Sequence, residues 1–582
     1  MKPEFEPGAQ QANEPRVGPD GAAAAEALRE TPLPAVPVAP LPPLAERSAG
    51  LPSPGLRSAR DPSSDRSPLG RAPDSGSPQG APSRGAPSAG VLPAGGQAAV
   101  SAPFPDLPRP VASSRASSAL AGQLLPERSA EELLARTPSG IDAATEARAG
   151  ALIEQIRLRG LAGLRESAEG LGDLEPGAPL FLERPQLEAA LADLPAGERG
   201  LLERTAERIR AFAQAQLACL RPLDVPVLGG RAGHRLVPLE SAGCYAPGGR
   251  YPLPSSVLMT ALVARTAGVE RVVVASPRPS ALVQAAAAVA GADRLLAVGG
   301  AQAIAALALG VEGFEPVDFI AGPGNRYVTA AKRQLFGRVG IDSLAGPSEL
   351  LVIADGSVTP RRIALDLLAQ AEHDPDAWPV LIALPGCSLD AVRAELETEL
   401  AAARRLGARS AACADIAARS LGAGAALEVA DAAQAARLAD RLACEHLALF
   451  VADPGALAGQ IRHAGALFLG PQSSEVFGDY GLGPNHVLPT GRGARQRGGL
   501  SVFDFLRIQT FLDLTPPAPS RSTDPAAGPA LDPRPDAAPR DAAPADLDPA
   551  NPALASAALA DAAQLADLEG LHFHAAAARA RL

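Results

Sequence analysis

Between residues 271 and 451 the chain repeats one pattern: a short apolar run, a polar or glycine-rich break, then ten to fifteen residues with helical spacing. Arg271–Ala275 (RVVVA), Arg294–Val298 (RLLAV), Val317–Ala321 (VDFIA), Glu349–Ala354 (ELLVIA), Pro379–Leu384, Leu427–Ala430 and Leu447–Val451 read as strands apolar on both faces. Helices are predicted from Ala301, over Tyr327–Leu335, over Pro360–Ala371 with proline in its first turn, over Asp390–Arg404, and up to Ala443. Such alternation means βαβ units and parallel sheets. About 415 residues carry an ordinary share of proline, and two such sheets suit that length better than one.

Proline marks the remainder. Residues 1–130 hold 24 of the 59 prolines and residues 516–552 hold 11. Neither segment has the aromatic and branched side chains needed to offset its ordering entropy. The expectation is a disordered extension over 1–130, a folded body over 131–515, a flexible insertion over 516–552 and a helix over 553–582. The extension is alternatively a partner-binding tail.

Composition removes several classes. No apolar run reaches the 18 residues a membrane helix needs, and the first residues, MKPEFEPGAQ, form no secretory core. Five cysteines without CxxC spacing suit reduced thiols. The net charge of −11 argues against a general nucleic-acid binder. A cytoplasmic protein is expected. Lys2 and Lys332 are the only lysines, which together with abundant Ala, Gly and Pro points to GC-rich coding.

Candidate chemistry gathers at a few places. Gln370 and His373 (LLAQAEHD) are i and i+3 on the helix predicted there, so they share a face and could offer an oxygen and an imidazole to a divalent metal, though taken alone the pair reads as surface decoration far more often than as a site. Asp479, Asn485 and His486 lie in the loop FGDYGLGPNHVLPT, where Asp-Tyr-Gly can also be a plain turn. Glu445-His446 (RLACEHLALFV) offers a base with a helper, or only a helix-terminal pair. Nothing gives Cys444 a low pKa. Two glycine-rich turns, 244–256 (CYAPGGRYPLPSS) and 321–337 (AGPGNRYVTAAKRQLFG), flank strands. In the second, N–H groups of the following helix could face a phosphate, although no GxGxxG fingerprint is present.

Taken together, YAPGGRYPLPSSVLMTALVARTAGV, GGAQAIAALALG, AGPGNRYVTAAKRQLFGRVGIDSLAGPSELLVIAD, DLLAQAEHDPDA, GDYGLGPNHVLPT and SVFDFL closely resemble the histidinol dehydrogenase family. The resemblance covers roughly 130–515 and 553–582. It implies an α/β fold of two doubly wound, incomplete Rossmann-like domains with a small helical C-terminal tail, and NAD- and zinc-dependent oxidation of L-histidinol to L-histidine through bound L-histidinaldehyde. It implies zinc on Gln370, His373, Asp479 and His574, with His572 two residues early. The catalytic pair would be Glu445 and His446. Ser348, Gln370, His373, His446, Asp479, His486, Glu569 and His574 would meet substrate, and Tyr245, Gln302 and Asn325 would meet NAD, in a half spanning about 244–343. A homodimer is implied, each tail reaching the partner's site. Two departures stand out: Cys444 and Ala448 replace the family's usual proline and glutamate. A same-fold dehydrogenase of another polar alcohol, such as a sulfonated diol, and a non-catalytic scaffold are the competing readings.

Overall fold

The computed structural model describes residues 124–136, 141–248 and 253–514, with isolated positions 560, 561 and 579. The expectations for 1–123, for 516–552 and for most of the tail, Glu569, His572 and His574 included, lie outside the described residues. Among those described, no helix is long and apolar enough to cross a membrane.

Fourteen strands form three sheets among the described residues. In chain order they are β1 (Phe181–Glu183), β2 (Leu223–Val227), β3 (Gly230–Pro238), β4 (Ser241–Tyr245), β5 (Arg271–Ala275), β6 (Arg294–Leu296), β7 (Phe319–Ala321), β8 (Gly340–Ile341), β9 (Glu349–Ala354), β10 (Trp378–Ala383), β11 (Ala425–Glu428), β12 (His446–Phe450), β13 (Ala466–Leu469) and β14 (Leu506–Asp513). The first sheet runs β1-β6-β5-β4-β7-β8 and is parallel except for its edge strand β1. The second, β11-β10-β9-β12-β13, is parallel throughout. Both reverse direction of growth once, at β4/β7 and at β9/β12, as doubly wound sheets do. The antiparallel sheet β14-β3-β2 was not foreseen; its strands are largely exposed and carry no apolar run.

Alternation along β9 shows why the second sheet needs helices on both faces. Leu350, Val352 and Ala354 pack with Ile363, Leu367, Val392, Leu396 and Leu421 from the helices Pro360–Ala371, Leu389–Arg405 and Ala408–Ala423. Leu351 and Ile353 point the other way, toward Leu438, Ala439 and Leu442 of the helix Ala432–Leu442. Complete burial of the strand follows, which is why it reads as a continuous apolar run. RVVVA, ELLVIA and the helix Pro360–Ala371 are found at their expected bounds. VDFIA is shorter, because the N–H of Val317 bonds to Leu307 O instead of entering the ladder.

The body begins earlier than composition indicates. Residues 124–130, assigned by sequence to the extension, are packed. The Leu125 side chain is 1% exposed in the core of the second sheet. Leu125 N–H donates to Leu421 O (3.1 Å), Arg128 N–H to Ala426 O (3.0 Å), and Ala426 N–H to Pro126 O (3.0 Å). This segment covers the free edge of β11, which would otherwise present unpaired backbone groups. A capping box of Ser129 and Glu132 then starts the helix Ala130–Ala135, and the Arg136 guanidinium stacks on Trp378, 4.3 Å from the ring centroid.

Two truncations test this. Removing 1–123 is expected to leave the urea unfolding midpoint in place. Removing 1–130 also takes out Leu125 and three backbone hydrogen bonds. Loss of one buried leucine side chain costs about 2–5 kcal/mol, so the longer truncation should unfold at clearly lower urea. Equal midpoints would refute the packing role.

Candidate functional site

The centre of the site lies where β9 and β12 start side by side, with His446 paired to Leu350 in parallel register. The helix before β12 ends at Leu442, and Ala443 takes a left-handed conformation (φ 48°) that turns the chain into the strand. Glu445 and His446 are thus a corner into a strand, not the end of a helix. Glu445 Oε2 accepts from the N–H of Glu349 (2.9 Å), and Glu349 Oε2 accepts from the N–H of Glu445 (3.3 Å). Glu349 Oε1 takes a third N–H, from Gly491 (3.1 Å). His446 Nδ1 lies 3.0 Å from Glu349 O and 3.5 Å from Glu445 Oε2. A carbonyl only accepts, so Nδ1 carries the proton and Nε2 is left as the free basic nitrogen.

Burial sets the protonation states. It lowers the pKa of His446 below the usual histidine value, against the opposing pull of Asp479. Glu445 is held well above the usual carboxylate range, first by burial and further by the charges of Glu349 and Asp479. Burial likewise raises Glu349, although Arg136 and Arg492 oppose it.

A second strip of the chain faces this corner. The helix Pro360–Ala371 guides it: Arg362 Nη1 donates to Pro471 O (3.0 Å), and Ser474 Oγ to Asp366 Oδ1 (3.2 Å). Further on, His373 Nε2 lies 3.7 Å from Asp479 Oδ2. Segment 471–479 therefore runs along the helix from the carboxyl ends of the strands to their amino ends. His373 itself sits in the turn just past the helix, whose N–H still reaches Gln370 O (3.3 Å), so the spacing of one turn survives. His486 Nδ1 donates to Asp479 O (3.1 Å), and burial lowers its pKa.

The donor set suits a cation. The Gln370 side chain is 2% exposed, one turn before His373. Glu475 is buried with both carboxyl oxygens unpartnered, and burial pushes it well above the usual range, with Asp479, Asp366 and Glu445 adding to the shift. Asp366 is pushed up to about 6, chiefly by burial. Of the five acids here, Glu349 faces Arg136 and Arg492 and Asp366 faces Arg362, while Glu445 and Glu475 are pushed up further by neighbouring acids. Among the described residues no three His, Cys, Asp or Glu side chains suffice for a metal. The set Gln370, His373 and Asp479 needs a fourth ligand, and His574 is outside the described residues.

The other expected residues stand at the carboxyl ends of the first sheet, around its β4/β7 reversal. Tyr245 ends β4; its hydroxyl accepts from Gly300 N–H (3.1 Å), and burial pushes its pKa up to about 12. Gln302 Nε2 donates to Asp173 Oδ2 (2.7 Å), which also accepts from Gly299 N–H (3.0 Å). Asn325 Oδ1 accepts from the N–H groups of Tyr327 and Val328, capping the helix Arg326–Leu335. Those N–H groups are therefore taken and do not cradle a phosphate; Asn325 Nδ2 has no partner among the described residues. The loop 484–491 joins the halves: Asn485 Nδ2 donates to Met259 O (2.7 Å), His486 Nε2 lies 3.4 Å from Ser256 Oγ, and Gly346 N–H donates to Thr490 Oγ1 (2.6 Å) beside Ser348.

Sequence reasoning missed Glu349, Glu475, Asp366 and Asp173. Only Glu349 carried a readable signal: an acid opening a strand otherwise wholly apolar. Cys444 is buried and raised well above the usual thiol value, chiefly by burial, so it is no nucleophile.

The sequence profile of the family described as histidinol dehydrogenase matches residues 136–527. Histidinol dehydrogenase of Cereibacter sphaeroides is 49% identical over 387 residues, 65% of this chain and 86% of that protein. The Pseudomonas syringae pv. syringae enzyme is 45% identical over 375 residues, 63% of this chain and 81% of its own. The crystal structure of histidinol dehydrogenase from Elizabethkingia anophelis aligns with a TM-score of 0.66 and 25% identity, covering 79% of this chain and 98% of that one.

Glu349→Leu should show what the exchange of bonds between Glu349 and Glu445 contributes. It strands the N–H groups of Glu445 and Gly491, and each buried unpartnered donor costs about 1–3 kcal/mol. The expected loss in urea unfolding is roughly 2–6 kcal/mol; a loss below about 1 kcal/mol would mean that water replaces these bonds freely.

Proposed function

The chain belongs to the histidinol dehydrogenase family, so it is an oxidoreductase acting on histidinol in histidine biosynthesis, and on that premise we propose how its site works. Two NAD molecules, bound in turn, would each take one hydride, zinc would assist, and L-histidinaldehyde stays bound between the steps. One observation carries the reading: a buried His446, with Nδ1 committed to Glu349 O and Nε2 left basic, stands with Glu445 3.5 Å from Nδ1 and with Asp479 close enough to pull on its pKa.

Gln370, His373, Asp479 and, from the tail, His574 would hold zinc. Bound there, zinc would supply a Lewis acid that fixes the amino and imidazole nitrogens of histidinol. The remaining work falls to side chains. His446 takes the carbinol proton on Nε2 as the hydride leaves. Glu445, 3.5 Å from Nδ1, stabilises the imidazolium that results. The aldehyde must then gain water before a second hydride can depart. Glu445, whose pKa burial raises, assists that addition, and His446 again takes a proton. His486, Ser348 and Glu569 complete the substrate's surroundings. Tyr245, Gln302 and Asn325 line the crevice for NAD, at the strand ends where doubly wound sheets hold nucleotides. A homodimer in the cytoplasm, each tail serving its partner's site, completes the proposal.

Release of NADH from L-histidinol, with and without a chelator, tests the reading; undiminished turnover in metal-free enzyme would overturn the zinc assignment. His373→Asn should abolish turnover without unfolding the chain. His446→Gln removes the base, which typically costs about 100- to 10,000-fold, in both half-reactions. Glu445→Gln should slow oxidation of supplied aldehyde more than oxidation of histidinol. Aldehyde oxidation at the wild-type rate would remove Glu445 from the water step.

The pH dependence has a definite sign. Protonated His446 is no base, and its pKa lies below the ordinary 6.5. It therefore stays competent as pH falls through that value, and the acid limb of kcat/KM should lie lower. A limb above 6.5 would contradict the burial argument.

A further inference from the structure

Helix Arg326–Leu335 carries the only lysine among the described residues. Coding bias has filled nearly every other basic position with arginine, so an ammonium retained here answers a need that a guanidinium does not meet. Lys332 is 2% exposed, as is its partner Asp342. Its Nζ bonds Asp342 Oδ1 and donates to Gly322 O (2.8 Å), with Ser343 O at 3.5 Å. Three donors on one small group meet three acceptors, whereas a planar fork would need more room.

What this pair holds is the turn after β7. Gly322 N–H donates to Asp342 Oδ2 (2.7 Å) and Gly322 C=O accepts from Lys332, so both peptide groups flanking one glycine are pinned. That glycine has φ 122°, and a Cβ there would lie 2.0 Å from Tyr245 O. The turn is pressed against the carboxyl end of β4, and three residues later comes Asn325, whose Nδ2 has no partner among the described residues. Asp342 continues the ladder beside β7, its N–H reaching Ile320 O (3.2 Å). From the same helix, Thr329 Oγ1 holds Ala345 O (2.8 Å) in the linker toward Ser348 and Glu349.

Stability alone does not account for the pair. Buried ion pairs are often no more stabilising than apolar residues of the same size. Resting on the reading that NAD occupies the β4/β7 crevice, we propose that Lys332 and Asp342 are positioning residues: they fix the Gly322–Asn325 turn and so set the affinity for NAD without touching it.

The test uses the full, metal-loaded chain. Lys332→Met with Asp342→Leu removes both charges at similar volume and leaves no lone buried ion. Calorimetry should show the Kd for NAD raised about 10- to 100-fold, the range expected when a binding group is displaced by about an ångström. KM for NAD should rise with it while kcat changes little. Affinity for L-histidinol, measured without NAD, should stay within about twofold, as for independent sites. Asn325→Ser keeps the helix cap but deletes Nδ2, so it reports on the crevice itself. If Asn325→Ser weakens NAD binding while the folded double variant binds like wild type, the positioning role fails and the crevice stands. A wild-type chain that binds no NAD, or an Asn325→Ser variant that binds it undiminished, removes the crevice and the positioning role together. If the double variant does not fold, Lys332→Arg replaces it, with the same NAD-specific loss expected. Loss of NAD and histidinol binding together in Lys332→Arg would make the pair a determinant of folding only, and would overturn the proposal.

Discussion

The site depends on a parallel pairing of two strand starts. Where β9 and β12 begin, Glu349 and Glu445 each accept the other's backbone N–H, and the Glu349 carbonyl takes the proton-bearing nitrogen of His446. One residue therefore sets the position of the Glu445 carboxyl, the tautomer of His446 and, through Gly491, the return of the bridging loop. Both carboxyl groups lie in the dry interior, where ionising them is costly. The backbone donors offset part of that cost. A bound cation would offset more, and the carboxyl oxygens of Glu475, unpartnered among the described residues, would give it acceptors.

The two sheets are used at opposite ends. In the first, the reversal at β4/β7 opens a crevice at the carboxyl ends, as is usual for this architecture. In the second, Glu349, His446 and the Gln370–His373 turn all stand at the amino ends. Chemistry at amino ends has to bring its other groups from elsewhere. The strip 471–479 does so by running down the helix Pro360–Ala371, with successive contacts at Arg362, Asp366 and His373. The loop 484–491 then ties the strip to Met259 and Ser256 of the first half.

Legibility in the sequence follows burial. RVVVA, ELLVIA and Pro360–Ala371 were readable to the residue because strands buried on both faces need unbroken apolar runs and a helix needs its period. β2, β3 and β14 were not, since exposed antiparallel strands carry neither signal. The start of the body was misplaced because Leu124 and Leu125 are a short apolar pair at the end of a segment poor in aromatic and branched side chains, and their burial depends on the second sheet, far away in sequence. Of the site, Gln370, His373, Asp479, Glu445 and His446 stood out only through the family resemblance; by spacing alone each had an ordinary reading. Glu349 escaped because its work is done by its backbone as much as by its carboxylate.

Departure from the family pattern at Cys444 and Ala448 is explained by what surrounds them. Both are buried in apolar cores, Cys444 against the helix face carrying Leu438 and Leu442, Ala448 on the opposite face with Leu350 and Phe450. Proline before the corner would stiffen the turn that Ala443 and the Glu349 bonds already define. A glutamate at 448 would put a carboxylate into the apolar layer of Leu350 and Phe450, close to acids that burial already pushes up. A small apolar residue there leaves the negative charge where it has use, at the strand starts facing the bridging loop.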